Sequence, residues 1–130
     1  MKEQIEFYQK KLNYEMDPSD LFAAFENNQA VVAVDARQDF GYEKEHIPGA
    51  INLPHREMTE ESTAHLDRDK TYVVYCDGIG CNASAKGSLK MVKLGFTVKE
   101  LMGGIEWWKY DGYGTEGKLA STGAKIQYAC

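Results

Sequence analysis

The 130-residue sequence has only three cysteines and three prolines, and it contains no long apolar run. An odd, small number of cysteines excludes a scaffold held together by disulfides. The sequence also argues against a structural zinc site, because Cys76 and Cys81 lie further apart than a C-x2-C pair and no second ligand pair is present. We therefore expect neither a metal nor a cofactor.

Positive charge is also scarce. Fifteen Lys and Arg against twenty Asp and Glu give a net charge of −5, which argues against nucleic acid or an anionic membrane as the main partner. No stretch approaches the roughly 18–20 apolar residues of a membrane span. The N-terminus lacks the apolar core of a secretory signal, so a cytoplasmic location is the default expectation.

The chain has the length of a single domain. Residues 1–16 are predicted to form an N-terminal helical extension and residues 17–113 the domain. Residues 114–130 are predicted to form a loosely attached tail, because glycines recur after Gly112 and apolar periodicity fades.

Strands and helices are predicted to alternate along the domain. Asp17 and Pro18 form a helix-start signal, and the residues 31–35 and 71–75 are short apolar runs typical of buried parallel strands. Further strands are predicted at 50–53 and 98–102, and helical segments at 2–12, 18–27, 39–46, from 59, 83–94 and 105–110. This alternation predicts an α/β domain whose central parallel sheet carries helices on both faces.

Cys76 is the strongest candidate for a reactive residue, because it ends the strand at 71–75 and opens a glycine-containing loop before a helix. The predicted anion-binding loop comprises Asp77, Gly78, Ile79, Gly80, Cys81, Asn82, Ala83 and Ser84, with Ser84 as the helix N-cap. Backbone N–H groups and the helix dipole at such a site stabilise a sulfur anion. We therefore expect Cys76 to be a nucleophile with a lowered pKa.

Several further motifs occur in order around this loop. They are Asp35-Ala36-Arg37 after the first buried strand, His46-Ile47-Pro48-Gly49-Ala50 with Pro54, Gly95-Phe96, and Leu101-Met102-Gly103-Gly104 with Trp108. Together with Cys76 they resemble the rhodanese-like domains over about residues 17–113.

The resemblance implies a single rhodanese-like domain and a sulfurtransferase cycle. In that cycle Cys76 would take a sulfane sulfur from a small donor such as thiosulfate, a polysulfide or a persulfide, and carry it as a persulfide to a thiol or to cyanide. A protein donor or acceptor is also open. Asp35, Arg37 and His46 are expected to support the structure rather than to react.

The loop departs from the family pattern C-x4-R-[ST], because no Arg or Lys lies between Cys76 and Lys86. Cys81 occupies the arginine position on a strict count, and Ala83 occupies it when the count runs back from Gly95. A missing guanidinium weakens the binding of a dianion. We therefore expect poor use of thiosulfate.

Cys81 raises a second hypothesis, because it shares the loop with Cys76 and could act as a resolving thiol that forms a disulfide with it. The alternative is that Cys81 only packs beneath the helix. Two other functions stay open: a catalytically weak binding or regulatory module, and a cysteine phosphatase or arsenate reductase, which the missing arginine disfavours. Cys130 is expected to be incidental.

Overall fold

The computed structural model describes residues 1–123, and five strands form one parallel sheet within them. The strands are β1 (Glu15–Met16), β2 (Val31–Asp35), β3 (Ile51–Asn52), β4 (Thr71–Tyr75) and β5 (Thr97–Leu101). Their order across the sheet is β1-β5-β4-β2-β3, which places β4 at the centre. The apolar runs at 31–35 and 71–75 are confirmed as β2 and β4.

The helices alternate with the strands along the domain, as predicted, with α1 before β1 and α6 after β5. They are α1 (Lys2–Tyr14), α2 (Pro18–Glu26), α3 (Asp39–Lys44), α4 (Glu60–Thr63), α5 (Ala83–Lys93) and α6 (Gly104–Tyr110), with a 3-10 turn at His55–Glu57. The side chain of Asp17 accepts the Asp20 N–H at 2.8 Å and so caps α2. Within residues 1–123, no helix combines the length and apolar character that crossing a bilayer requires.

Both faces of the sheet are covered. Successive side chains of a strand point to opposite faces, so β4 contributes to two cores. The first core includes Leu21, Val73, Tyr75 and Trp108, and the second includes Tyr72, Val74, Met91 and Phe96. The residues from helices place α2 and α6 on one face and α5 on the other, which confirms the predicted α/β architecture.

β1 was not predicted from the sequence. It has two residues and forms by pairing with the edge of the sheet, where Glu15 lies opposite Glu100 and Met16 opposite Leu101. A strand this short carries no apolar run or alternation of its own, because its conformation is set by the neighbouring β5.

The prediction of a loosely attached tail is wrong for residues 115–119. His46 and Glu116 exchange two backbone hydrogen bonds of 2.8 and 2.9 Å, and the amides of residues 118 and 119 donate to the carbonyls of residues 43 and 44. Thr115 is buried and donates to Glu45 at 2.6 Å. Residues 124–130, including Cys130, lie outside the described residues, and the boundaries of the three segments stay a prediction.

Candidate active site

Cys76 lies at the carboxyl end of β4, beside the end of β2, where reactive groups gather in open parallel sheets. Its side chain is fully buried, with 1% of the residue exposed. Its carbonyl accepts the Ile105 N–H at 3.0 Å. Gly104 has a φ of +62°, and a Cβ there would overlap that same carbonyl. The α6 helix and the sheet together fix the backbone of Cys76.

The end of β2 forms a charged cluster next to Cys76. The buried Asp35 carboxylate accepts hydrogen bonds from the Arg37 guanidinium, at 2.7 Å from Nη2, and from the Tyr75 hydroxyl at 3.1 Å. The guanidinium also donates to Asp77 Oδ1 at 3.1 Å and to the Glu45 carbonyl at 2.6 Å. Burial opposes the charge on Arg37, but its hydrogen bonds to Asp35 outweigh this and raise its pKa. Arg37 therefore ties the start of the loop to the sheet.

His46 belongs to a different contact network. Its Nδ1 lies 2.7 Å from the Tyr42 carbonyl, its ring stacks on the Tyr42 ring, and its Nε2 lies 3.7 Å from Glu116 Oε1. These contacts join α3 to the segment after α6. The supporting role expected of His46 stays a prediction, and these contacts are compatible with it.

The thiol of Cys76 faces carbonyl oxygens instead of a ring of N–H donors. Its Sγ lies 3.1 Å from the Cys81 carbonyl oxygen and 4.0 Å from that of Gly78. Burial raises the pKa of Cys76, and the Cys81 side chain raises it further, whereas the hydroxyl and the backbone N–H of Ser84 act in the opposite direction. The expected lowered pKa is therefore wrong for this loop conformation, because a buried sulfur that meets carbonyl oxygens is more stable as a thiol.

A hydrogen-bond path connects this thiol to a carboxylate. Cys76 Sγ lies 3.4 Å from Ser84 Oγ, and Ser84 Oγ donates to Glu100 Oε2 at 2.7 Å. Ser84 is buried at the second position of α5, whose N-cap is Asn82, so the predicted capping role of Ser84 is wrong. Glu100 lies in β5, and sequence reasoning missed it. Its one available signal was a charged residue near the end of the strand adjacent to β4.

The rest of the loop covers the thiol. The Cys81 N–H donates to the Gly78 carbonyl at 3.1 Å, which closes a turn over Cys76. The Asp77 side chain is exposed, Ile79 is 76% exposed, and a Cβ at Gly80 would meet no atom within 4 Å. Open space around the tip of the loop leaves room for it to move.

Two cavities border this loop. The larger, of about 750 Å³, is lined by apolar and aromatic side chains that include Ile79, Met102 and Trp107, with Asp17 and Asp111 at its edge. The smaller, of about 360 Å³, is lined by residues that include Arg37, Asp77 and Lys109. Cys76 lines neither cavity, and at 1% exposure its sulfur is covered in this conformation of the loop.

The described part of the chain has no cluster of three or more His, Cys, Asp or Glu side chains arranged for a metal ion. Beside Cys76, the functional groups within hydrogen-bonding reach of one another are its thiol, the Ser84 hydroxyl and the Glu100 carboxylate.

Comparisons with known proteins agree with the α/β fold described above. A family profile described as "Rhodanese-like domain" matches residues 17–111. Thiosulfate sulfurtransferase PspE of Escherichia coli is 36% identical over 74 residues, which are 56% of this chain and 69% of that protein. Thiosulfate sulfurtransferase GlpE of Coxiella burnetii is 37% identical over 81 residues, which are 61% of this chain and 72% of that protein.

A solved structure extends the likeness to almost the whole chain. The BH2092 protein of Bacillus halodurans superposes with a TM-score of 0.88 at 36% identity, covering 98% of this chain and 94% of that one. The likeness therefore includes the α1 extension, which lies before the residues that match the family profile.

Proposed function

The chain belongs to the rhodanese-like domain family, and from that premise we propose that it is a sulfurtransferase that carries sulfane sulfur as a persulfide on Cys76. The observation that carries this proposal is the line of atoms from Cys76 Sγ through Ser84 Oγ to Glu100 Oε2, with separations of 3.4 and 2.7 Å. It gives a thiol with a raised pKa a place to release its proton. The relatives described as thiosulfate sulfurtransferases support the same class of reaction.

In the first half-reaction, Cys76 Sγ attacks the sulfane sulfur of the donor. The thiol proton moves to Ser84 Oγ while the Ser84 proton moves to Glu100 Oε2, and a new S–S bond forms. The remainder of the donor leaves with the electron pair of the S–S bond that breaks. In the second half-reaction a thiol or cyanide attacks the outer sulfur, the bond between Sγ and the outer sulfur breaks with its electron pair left on Sγ, and the proton held by Glu100 returns to Cys76 through Ser84.

We further propose that the donor is a small persulfide or a polysulfide in preference to thiosulfate. The Arg37 guanidinium is engaged by Asp35, Glu45 and Asp77. The loop between Cys76 and Lys86 offers no other cation, and the Glu106 side chain lies against Gly78. A dianion would meet carboxylates there without a free guanidinium to bind it.

The test is sulfur loading followed by transfer. The full chain is incubated with glutathione persulfide or with polysulfide, desalted, and weighed intact and after digestion. We expect a gain of about 32 Da, one sulfur atom, on the Cys76 peptide, and transfer of that sulfur to cyanide as thiocyanate. The Cys76→Ser variant is the matched control, and an equal mass gain in that variant would contradict the proposal.

One observation favours a second candidate, a binding or regulatory module without turnover. Cys76 is buried and its pKa is raised by burial, which slows any attack by its sulfur. If no donor gives a mass gain on Cys76 although the fold is intact by thermal unfolding, this second function replaces the first. A phosphatase or arsenate reductase has no such support, because the loop lacks a cation to clamp an oxyanion.

A further inference from the structure

A second thiol lies in the loop that covers Cys76. The Cys81 N–H donates to the Gly78 carbonyl at 3.1 Å, and this turn returns the chain to Cys76. The Cys81 carbonyl oxygen then lies 3.1 Å from Cys76 Sγ. Both cysteines are free thiols, and Cys81 is partly exposed whereas Cys76 is buried.

The two side chains interact. After burial and the Ser84 hydroxyl, the Cys81 side chain is the next influence on the thiol of Cys76, and it raises the pKa of Cys76 through a hydrogen bond and through its charge. The Cys81 carbonyl oxygen, 3.1 Å from Cys76 Sγ, independently places Cys81 beside the thiol of Cys76. Cys81 also occupies, on a strict count, the loop position of the missing arginine.

The Cys81 and Gly78 carbonyl oxygens lie 3.1 and 4.0 Å from Cys76 Sγ, so the backbone of the turn lies against the atom that would become the inner sulfur of a Cys76 persulfide. The tip of the turn at Gly80 has open space around it, so a small change in the loop suffices to align the two sulfurs. Attack on Sγ links two cysteines whose separation is fixed by one short loop.

We propose that Cys81 is a resolving thiol that converts the Cys76 persulfide into a Cys76–Cys81 disulfide and releases the outer sulfur as hydrosulfide. This inference rests on the proposed sulfur loading of Cys76. The Cys81 thiol loses its proton to solvent, and its sulfur forms a bond with Cys76 Sγ. The bond between Sγ and the outer sulfur breaks, and its electron pair leaves with hydrosulfide. The sulfane sulfur is reduced, and two thiols are oxidised to a disulfide.

The consequence is a second activity at the same site. With an external thiol or cyanide present, Cys76 transfers its sulfur and Cys81 is not needed. Without an acceptor, the loaded protein releases sulfide by itself and stops as the disulfide. A dithiol reductant then restores both thiols, so the complete cycle reduces a persulfide to sulfide and a thiol at the expense of a dithiol.

The experiment uses the full chain with Cys130→Ser, so that only the two loop thiols remain, and the same chain with the additional change Cys81→Ser. Each protein is treated with one equivalent of glutathione persulfide, desalted, and followed without any added thiol. Released sulfide, intact mass and disulfide-linked peptides are measured over time.

We expect the protein with both thiols to release sulfide and to yield a Cys76–Cys81 linked peptide. The Cys81→Ser protein should keep its mass gain of about 32 Da and release sulfide at least about tenfold more slowly. Equal, slow sulfide release by both proteins, or a stable extra sulfur found on Cys81, would overturn the resolving role while leaving the loading of Cys76 intact. Absence of any mass gain in the Cys81→Ser protein would overturn the proposed function as well.

Discussion

The adjacent ends of β2 and β4 differ in how their buried polar groups are satisfied. At the end of β2, the Asp35 carboxylate accepts hydrogen bonds from the Arg37 backbone and guanidinium and from the Tyr75 hydroxyl. At the end of β4, the Cys76 thiol meets carbonyl oxygens of a glycine-containing loop and one hydroxyl. The first group is held in one arrangement, whereas the second can exchange its partners when the loop moves.

This difference is consistent with a supporting role for the β2 end and, under the proposed function, a reacting role for the β4 end. A buried charge with a complete set of partners is costly to disturb and has no spare capacity to react. Under the proposed function, a buried thiol with a raised pKa keeps its proton until a donor and a proton acceptor are both in place. Arg37 connects the two ends, because it binds Asp35 in the frame and Asp77 in the loop.

The largest expected effect is on sulfur loading, when Cys76 at the end of β4 is changed. The Cys76→Ser variant should lose sulfur loading entirely, because a hydroxyl at this site is not a nucleophile toward sulfur. Its free energy of unfolding should change by only about 1 kcal/mol, since serine has nearly the same volume and can donate to the Cys81 carbonyl. Mass spectrometry measures sulfur loading, and urea denaturation measures the free energy of unfolding. An unfolded variant would contradict the expectation that Cys76 contributes little to stability.

The opposite result is expected at the end of β2. Asp35→Asn removes the charge that balances Arg37, whose side chain is only 13% exposed, and should cost about 3–5 kcal/mol of stability. Asp77→Asn removes the exposed partner of the same guanidinium and should cost less than about 1 kcal/mol. Urea denaturation measures the free energy of unfolding of both variants. Equal losses would show that the contact with Asp77 stabilises the fold as much as the contact with Asp35.

A smaller effect is expected for the proton path. Glu100→Gln keeps a hydrogen-bonding side chain beside Ser84 but cannot take the proton, so the rate of sulfur loading should fall on the order of 100-fold near neutral pH. The loss should shrink as pH rises, because hydroxide then ionises the thiol. Glu106→Gln is the matched control, since Glu106 lies against Gly78 but has no bond to Ser84. If the rate of sulfur loading had the same pH profile in the Glu100 variant and in the original chain, Glu100 would not be the proton acceptor.

The smallest expected effects are opposite changes in the pKa of Cys76. Ser84→Ala removes a hydroxyl that lowers the pKa, so the pKa should rise; Cys81→Ala removes a side chain that raises it, so the pKa should fall. The rate of alkylation by iodoacetamide follows the thiolate fraction. Near neutral pH this rate should fall with Ser84→Ala and rise with Cys81→Ala, each by less than about tenfold. Shifts in the same direction would contradict the described contacts.

The sequence predicted the fold well where local chemistry determines structure. The runs at 31–35 and 71–75 are β-branched and apolar, and Asp17 with Pro18 favours a helix start whatever surrounds it. Structure could not be predicted from the sequence where it depends on contacts between residues that are distant along the chain. β1 exists through its pairing with β5, and residues 115–119 are held by α3 and His46.

The site was predicted in the same uneven way. Cys76 could be found because a strand, a loop and a helix meet at one residue. The direction of the Cys81 carbonyl depends on the loop conformation, which residue types alone do not fix. Glu100 is sixteen residues from Ser84 and becomes its partner only through the parallel pairing of β4 with β5.

The most direct test of the account compares two donors on one thiol. The Cys81→Ser chain, which lacks the second thiol of the loop, is incubated near neutral pH with equal concentrations of glutathione persulfide or thiosulfate, and the mass of the Cys76 peptide is followed over time. The account predicts a gain of about 32 Da with the persulfide and a rate at least about tenfold lower with thiosulfate. An unchanged Cys76 peptide with the persulfide, or faster loading from thiosulfate, would contradict it.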